Sequence, residues 1–450
     1  MTLTVVNPAT ETPIAELAQA GVGETDEAVA RAKAVFPAWR DIAPHDRARL
    51  LRALAELVEE HGEELSRIES DNVGKPIGGA RGEIGMVGQV FHYYAGAVDK
   101  HLGETIPAAG GVAATFREAL GVVGLIVPWN FPLNIASWKL GPALACGNTV
   151  VLKPAGLTPL SALRLGELAL EAGIPEGVLN VVVGPGSVVG RRLVEHPDVA
   201  KIAFTGSTEV GREVMRGAAG QIKRVTLELG GKSANVIFED ADLERAANAA
   251  PYAVFDNAGQ DCCARSRILV QRSVYDEFVM GLETAVREWR TMDPADEQSQ
   301  MGPMVSAGQR ASVQRYLVES TIAFQGSAPD GDGYWLPATV VESADTDEVV
   351  WREEVFGPVV AVMPFDDEDE AIALANDSDY GLSGSIFTHD LGRALRVSRG
   401  VQTGNLSVNS HSSVRYWTPF GGYKMSGLGR ELGPDAPYAF TEEKNVFIAT

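Results

Sequence analysis

The stretch VVGLIVPWNFPLNIASWKLGPALACGNTVVLKPA, residues 122–155, decides the fold. It begins with an apolar run at 122–127 that Pro128 closes, and a second apolar run follows at 149–153. The intervening residues 134–145 have the composition and length of a helix. Short apolar strands joined by a helix are typical of parallel β-α-β units, so we expect a parallel sheet here.

The same alternation continues downstream of this stretch, whereas the upstream residues have a different pattern. Downstream of it, we expect helices at 161–172, 208–219, 274–290 and 368–375, and strands at 178–183, 199–204, 233–238, 268–270, 359–364 and 383–388. Upstream and at the end of the chain, we expect helices within 24–70, interrupted near Pro37 and Pro44, and at 80–98, a hairpin at 103–117 and a strand at 438–449 that could join a partner's sheet. The pattern predicts two doubly wound α/β domains that meet near residues 229–231, with ligand crevices at the carboxyl ends of their strands.

Composition narrows the class of protein. A chain of 450 residues predicts two or three domains, and 45% hydrophobic with 22% charged residues is typical of a globular protein. We expect no membrane span, no secretory signal and no metal site, because apolar runs are short and the seven histidines are scattered. The three cysteines suit a reducing compartment, so we predict a cytoplasmic protein. A net charge of −22 argues against nucleic acid as a partner.

The segment FDNAGQDCCARSR, residues 255–267, contains a cysteine in a position that suits catalysis. Cys262 follows a Gly-Gln turn at 259–260 and precedes an apolar run, so it can be exposed beside backbone N–H donors. Such a thiol can act as a nucleophile. Because cysteine more often packs as a small hydrophobic residue, both interpretations stay open at this point.

Other polar residues follow the predicted strands. Asn130 could donate to an oxyanion or only shape a turn, and Glu228 could be a general base or only a turn carboxylate. The loop GPGSVVG at 184–190, which contains Gly186 and is expected to open a helix, differs by one residue from a dinucleotide-binding loop and could equally be an ordinary strand–helix turn. Residues 204–207 form a second candidate anion site, and Lys153 could contact a phosphate or ribose.

Seven motifs occur together in one order. They are PWNFP (128–132), LKPA (152–155), FTGSTEVG (204–211), LELGGKS (227–233), GQDC (259–262), EEVFGPV (353–359) and PFGGYKMSGLGRE (419–431). With them the chain resembles the aldehyde dehydrogenase superfamily, in its NAD(P)-dependent and non-CoA-acylating branch, over nearly its whole length. The resemblance implies a Rossmann-like cofactor domain (1–97 and 120–229), an α/β catalytic domain (230–433) and a small β bridging or oligomerisation element (98–119 and 434–450).

The resemblance also implies roles for individual residues. Cys262 would be the nucleophile, Asn130 would stabilise the oxyanion with the Cys262 backbone N–H, and Glu228 would be the general base. The residues expected to bind the cofactor are Trp129, Lys153, Gly186, Gly206, Ser207, Glu354 and Phe356. The expected cofactor is NAD, and NADP stays possible because Gly156 occupies the position where NAD-preferring relatives usually carry glutamate. Family members assemble, so we expect a homodimer or homotetramer.

The substrate prediction depends on Asp261, with Phe131, Trp138 and Phe420 as further substrate residues. A carboxylate beside the nucleophile suits a cationic aldehyde, and AGQDC resembles the cysteine loop of bacterial 4-aminobutanal dehydrogenases. Succinate-semialdehyde enzymes tend to carry a basic residue at the Trp138 position. We therefore predict an ω-aminoaldehyde such as 4-aminobutanal, although Asp261 could instead only cap a turn.

Four alternatives remain. The protein could oxidise succinate semialdehyde or general aliphatic aldehydes. A CoA-acylating dehydrogenase is disfavoured because such enzymes typically lack the carboxylate that corresponds to Glu228. A thiol hydrolase would need a histidine near Cys262, and none lies between His196 and His389 in the sequence, although the fold could bring one in. A non-enzymatic structural protein would not need Cys262, Glu228 and Asn130 together.

Overall fold

The computed structural model describes residues 2–318, 320–343, 345–412 and 414–450. Its helices are α1 Val22–Asp41, α2 Pro44–Glu60, α3 Gly62–Val73, α4 Ile77–Ala97, α5 Pro132–Ala145, α6 Leu160–Glu171, α7 Arg191–Glu195, α8 Thr208–Ala219, α9 Leu243–Phe255, α10 Tyr275–Arg287, α11 Ala307–Val318, α12 Val349–Arg352, α13 Glu368–Asn376 and α14 Leu391–Gly400.

The strands follow the same chain order. They are β1 Thr2–Asn7, β2 Thr12–Ala18, β3 Thr105–Ala108, β4 Gly111–Ala119, β5 Val122–Ile126, β6 Thr149–Lys153, β7 Leu179–Val181, β8 Val199–Thr205, β9 Arg224–Glu228, β10 Ala234–Ile237, β11 Arg267–Gln271, β12 Ile322–Gln325, β13 Thr339–Glu342, β14 Val359–Phe365, β15 Tyr380–Gly381, β16 Ser383–Phe387, β17 Asn405–Val408, β18 Tyr423–Lys424, β19 Gly427–Leu428 and β20 Thr441–Ala449.

The first large sheet has the strand order β19-β9-β8-β5-β6-β7, and only β19 is antiparallel to its neighbour. Every residue of β5 and β6 is buried, as expected for parallel strands covered on both faces. Val123 and Leu125 pack with α2, α4 and α5 on one face, whereas Val122 and Ile126 pack with α1 on the other. This is the doubly wound arrangement that residues 122–155 predicted.

The second large sheet has the order β12-β13-β14-β11-β10-β16-β17, with β12 alone antiparallel. Its two faces also alternate residue by residue. Ile237 and Ile268 pack toward α9 and α10, and Val236 and Leu269 pack toward the α13 side. Sheet membership changes between β9 and β10, which is where the boundary was predicted. The domain limits themselves stay predictions, because β19 lies within 230–433 and yet joins the first sheet.

A third, antiparallel sheet has the order β20-β4-β3. The β3–β4 pair confirms the hairpin predicted at 103–117. The last strand, predicted as a possible addition to a partner's sheet, pairs with β4 of its own chain from Thr441 opposite Ala119 to Ala449 opposite Gly111.

Two local differences from the sequence expectations have physical reasons. Pro37 does not end α1, because buried Val29 and Trp39 anchor the helix on both sides of it and packing offsets the one lost hydrogen bond. The loop at 184–190 does not open an ordinary helix directly, because Gly186–Gly190 forms one wide π-helical turn before α7. In the described part of the chain, no helix combines the length and hydropathy needed to cross a membrane.

Candidate active site

Cys262 is presented by a turn with an uncommon backbone conformation. Helix α9 ends at Phe255, and the next turn places Asn257 and Ala258 at φ of 51° and 56°. Left-handed backbone costs a non-glycine residue about 1–3 kcal/mol, so surrounding contacts must hold it. Gly259 continues the turn at φ 68°, and a Cβ there would lie 2.0 Å from the carbonyl oxygen of Gly357. Only glycine fits this close approach.

Two side-chain amides tie this turn to the end of β5. The Asn257 Nδ2 donates to the Asn130 carbonyl at 2.9 Å, and the Asn130 Nδ2 donates to the Gln260 carbonyl at 2.9 Å. The Gln260 side chain closes the turn by donating to the Asn257 carbonyl and accepting from the Val305 N–H, both at 2.9 Å. Asn130, predicted as an oxyanion donor, therefore lies beside the Cys262 loop, and its second amide hydrogen is not used in this contact.

Two cavities meet at Cys262. One of about 290 Å³ is lined by Trp129, Asn130, Gly206, Ser207, Glu354 and Phe356 among others. The other, of about 780 Å³, is lined by Phe131, Trp138, Asp261 and Phe420 among others. Both are lined by Cys262 and Ile135. The predicted cofactor and substrate residues named here line different cavities, and Cys262, the predicted nucleophile, lines both.

The predicted nucleophile, Cys262, rests as a thiol. Its contact with the Cys263 thiol, burial and the nearby Asp261 and Glu354 carboxylates raise the pKa of Cys262 well above its usual range. A base must therefore take its proton before it can attack. Glu228 is buried, and neither of its oxygens has a hydrogen-bond partner among the described residues. Burial and the Glu431 carboxylate raise the pKa of Glu228 well above its usual range, as expected for a carboxyl group removed from solvent.

Asp261 does cap a turn, which was the alternative to a substrate contact. Its Oδ1 accepts from the Cys263 N–H at 2.8 Å, and the same side chain lines the larger cavity. Burial raises the pKa of Asp261. One ligand atom each from Asp261, Cys262 and Cys263 lies within 4.8 Å of the others. The expectation of no metal stays a prediction.

The smaller cavity has features that fit a dinucleotide. Ser207 caps α8 by accepting from the Val210 N–H at 3.3 Å, so the helix N-terminus is available for an anion such as pyrophosphate. Glu354 accepts from the Gly231 N–H at 3.0 Å, and burial raises its pKa to about 7. A Cβ at Gly230 would lie 2.3 Å from the Glu354 Oε2, so glycine is required for this carboxylate to approach.

Two further residues were predicted to bind the cofactor. Phe356 lines the smaller cavity, and Lys153 lies at the carboxyl end of β6 in the first sheet. Phe356 has a left-handed φ of 54°, and its ring meets Trp129 edge to face at 5.2 Å. Lys153 ends β6 and is buried, and its ammonium has no ion pair or hydrogen bond with the described residues. Burial lowers the pKa of Lys153 to about 8. A ribose hydroxyl would satisfy such an ammonium, so these residues fit a bound nicotinamide dinucleotide.

Comparison with known proteins identifies the family. The model of the "Aldehyde dehydrogenase family" matches residues 1–446. The chain belongs to this family. An aldehyde dehydrogenase of Aspergillus niger is 42% identical over 99% of this chain and 91% of its own length. The putative aldehyde dehydrogenase DhaS of Bacillus subtilis is 42% identical over 98% of this chain and 91% of its own length.

Solved structures agree in fold and point to the cofactor. PnpE in complex with nicotinamide adenine dinucleotide has a TM-score of 0.98 and 42% identity, over 100% of this chain and 94% of that one. A betaine aldehyde dehydrogenase of Staphylococcus aureus in complex with NAD+ has a TM-score of 0.98 and 38% identity, over 100% and 92%. The predicted fold class is confirmed, and this aldehyde dehydrogenase is an NAD-dependent enzyme.

The larger cavity of the aldehyde dehydrogenase also holds residues that sequence reasoning missed. They are Glu83 from α4, Tyr252 from α9, and Asp256, Arg265 and His411 from loops. No local pattern marks them, because their positions depend on how α4, α9 and the loop after β17 meet. Among the predicted substrate residues, Trp138 is held by a hydrogen bond from its Nε1 to the Asn134 Oδ1 at 3.0 Å and packs edge to face on Phe420 at 5.1 Å.

Proposed function

We propose that this enzyme oxidises an ω-aminoaldehyde, such as 4-aminobutanal, to its carboxylic acid through a covalent bond to Cys262. The observation that carries the proposal is the position of Cys262 between a cavity that fits a dinucleotide and a cavity with carboxylates in its wall. Aldehyde oxidation follows from the family. The choice of aldehyde and the role of each residue are our inference.

The first half of the reaction begins at the Cys262 sulfur. Its proton passes to the ionised Glu228 carboxylate, and the thiolate adds to the aldehyde carbon to form a thiohemiacetal oxyanion. The Asn130 amide and the Cys262 backbone N–H stabilise this oxygen by donating to it. Glu354, Ser207 and Lys153 would hold NAD, and bound NAD supplies the acceptor for the hydride that leaves the substrate carbon as the oxyanion collapses to a thioester.

The second half releases the acid. Glu228, once ionised again, takes a proton from water, and the resulting hydroxide adds to the thioester carbon. The C–S bond then breaks, so the carboxylic acid departs and the Cys262 thiolate is regenerated. The burial of Glu228 suits this step, because a carboxylate stripped of solvent is a stronger base than one in water.

Carboxylates in the larger cavity support a cationic substrate. Glu83, Asp256 and Asp261 all line it. Burial, and to a smaller extent the negative charge of Asp261, raise the pKa of Asp256 to about 6. The Glu83 Oε2 is paired with the Lys75 Nζ at 2.5 Å, and Lys75 also lies 3.7 Å from Glu69. Burial raises the pKa of Glu83 to about 8 although the Lys75 ammonium opposes the shift, so Asp256 carries the negative charge of this wall more readily than Glu83.

The same cavity is also lined by Arg245 and Arg265, but their donors are engaged. The Arg245 Nη2 donates to the Asn409 carbonyl at 3.0 Å, and Arg265 donates to the Cys263 carbonyl and to Ser385. Guanidinium groups that already serve backbone carbonyls are less available to a substrate carboxylate. This favours 4-aminobutanal over succinate semialdehyde.

The test is kcat/KM with NAD for 4-aminobutanal, butanal and succinate semialdehyde. We expect the aminoaldehyde to be preferred at least tenfold, about 1.4 kcal/mol. Asp256→Asn should remove most of that preference and leave butanal unchanged, whereas Asp369→Asn on the exposed side of α13 should change neither. A preference for butanal or the semialdehyde in the unmodified enzyme would refute the substrate choice. A requirement for CoA would indicate the acylating branch instead.

We also propose a cytoplasmic homodimer or homotetramer. Large apolar side chains are exposed on the small antiparallel sheet, among them Ile106, Phe116, Phe447 and Ile448, which supports burial against another copy. Use of NADP stays open, since a Cβ at Gly156 would meet only Leu3 carbons at 3.7 and 3.8 Å and no carboxylate there opposes a 2′-phosphate.

A further inference from the structure

A chain of three polar side chains runs along one wall of the larger cavity. The Arg265 Nε donates to the Ser385 Oγ at 3.0 Å, and the Ser385 Oγ lies 2.9 Å from the His411 Nδ1. The Arg265 Nη2 also donates to the His411 carbonyl at 3.1 Å, which ties the loop to the same guanidinium. Arg265 and His411 both line the cavity that contains Cys262.

Counting protons along this chain assigns the tautomer of His411. Arginine has only donors, so the Ser385 oxygen accepts from Arg265. The Ser385 side chain is fully buried, and the His411 Nδ1 is the only acceptor within reach of its hydroxyl hydrogen among the described residues. The Ser385 O–H therefore donates to Nδ1, and the imidazole proton resides on Nε2.

The imidazole is neutral at physiological pH. Burial and the neighbouring Arg265 charge lower the pKa of His411 to about 3. Its Nε2 has no hydrogen-bond partner among the described residues and is shielded from solvent, so a substrate oxygen reaches it only after a small shift of the His411 ring. A buried donor without an acceptor costs about 1–3 kcal/mol, and a ligand oxygen that accepts from it recovers that cost.

We propose that His411 is a specificity-determining residue whose Nε2–H donates to an uncharged oxygen on the tail of the substrate. This rests on the proposed aldehyde oxidation and narrows its substrate class. An ammonium cannot accept a hydrogen bond, so a bare aminoaldehyde leaves Nε2–H unsatisfied. An amide-linked or hydroxylated aminoaldehyde satisfies both walls, because its N–H groups face the carboxylates while its oxygen accepts from His411.

The kinetic test uses pairs of aldehydes matched in length. The unmodified enzyme should prefer 4-acetamidobutanal to heptanal and 4-hydroxybutanal to pentanal. His411→Phe, which keeps a ring and removes the donor, should reduce kcat/KM for the oxygen-bearing aldehydes about tenfold more than for heptanal and pentanal, mainly through KM. Equal losses on both members of each pair, or no loss on either, would overturn the proposal.

The outcomes distinguish a failure of the His411 proposal from a failure of the proposed aldehyde oxidation. If the unmodified enzyme oxidises none of the four aldehydes with NAD, the proposed function itself fails. If it oxidises all four without preferring the oxygen-bearing members, only the role of His411 fails. A far-ultraviolet circular dichroism spectrum and a thermal midpoint equal to those of the unmodified enzyme show that His411→Phe is folded.

The tautomer can be measured without relying on a variant's activity. In 15N-histidine-labelled enzyme at neutral pH, the His411 signals, assigned by their loss in His411→Phe, should show a protonated Nε2 and an unprotonated Nδ1. Ser385→Ala removes the hydroxyl that fixes the ring, so it should move the Nδ1 signal. A protonated Nδ1 in the unmodified enzyme would contradict the assignment.

Discussion

A carboxylate next to a catalytic thiol works against forming the thiolate, and position 261 makes that conflict testable. Asp261 contributes to the raised pKa of Cys262 and also caps the turn by accepting from the Cys263 N–H. Asparagine separates the charge effect on Cys262 from the hydrogen bond to the Cys263 N–H. Its amide oxygen can still accept in the turn, but its side chain carries no charge.

Asp261→Asn should therefore lower the pKa of Cys262 and keep the loop intact. The thiolate forms as pH rises through the thiol pKa, so the rate of alkylation by iodoacetamide should rise at lower pH in the variant than in the unmodified enzyme. The Cys262→Ala variant measures how much of the alkylation comes from Cys146 and Cys263. An unchanged alkylation profile would mean that the Asp261 charge does not act on the sulfur.

Asn130 is the residue through which oxyanion stabilisation can be isolated. The Asn130 Nδ2 donates to the Gln260 carbonyl, and the Asn130 carbonyl accepts from the Asn257 Nδ2. Losing one oxyanion donor costs about 2.7–4 kcal/mol. Asn130→Ala should therefore reduce turnover roughly a hundredfold or more and leave NAD affinity, measured by calorimetry, unchanged. Turnover near that of the unmodified enzyme would reject this role.

At the scale of elements, glycines allow close contacts between the segments that line the smaller cavity. The clearest case is Gly230, whose absent Cβ makes room for Glu354. Sequence analysis placed β6 and α8 at the bounds the structure shows, because their apolar spacing is regular. It did not place the left-handed turn at Asn257 and Ala258, since the Asn257 side chain is held by the carbonyl of Asn130, which is distant in sequence.

Gly230→Ala should weaken NAD binding selectively. The added methyl would lie 2.3 Å from the Glu354 Oε2 and displace that carboxylate from the cavity. We expect KM for NAD to rise about tenfold or more, with a smaller change in KM for butanal. Gly85→Ala in α4 is the matched control, because its Cβ would meet nothing within 4 Å. A KM for NAD equal to that of the control would contradict the role of Glu354.

At the scale of the whole molecule, the candidate site depends on residues that are distant in sequence. Glu83, Asp256 and His411 reach one cavity from α4 and two loops, so no local motif could associate them. Charges also join distant segments, since the fully buried Lys139 of α5 pairs with Glu431 and donates to the Thr205 Oγ1 at 2.7 Å. Motifs predicted the nucleophile, base and donor, whereas the substrate wall required the fold.

Removing one partner of the Lys139–Glu431 pair should destabilise the enzyme strongly. Lys139→Met leaves the Glu431 carboxylate buried and unpaired beside Glu228, at a cost of roughly 3–5 kcal/mol. The urea midpoint should fall accordingly. Lys139→Met combined with Glu431→Gln removes the stranded charge and should recover most of the loss. If the double variant is as unstable as Lys139→Met, the pair is not the source of the effect.

The central claim is that Cys262 forms a thioester that Glu228 then helps to hydrolyse, and the mass of the Glu228→Gln variant tests it most directly. After mixing with NAD and butanal at alkaline pH, where part of Cys262 is thiolate without the Glu228 base, we expect about one NADH per subunit and intact-protein mass spectrometry showing one butanoyl group, located on Cys262 by peptide mapping. Continued turnover without an adduct, or an adduct on Cys263 instead, would contradict the account.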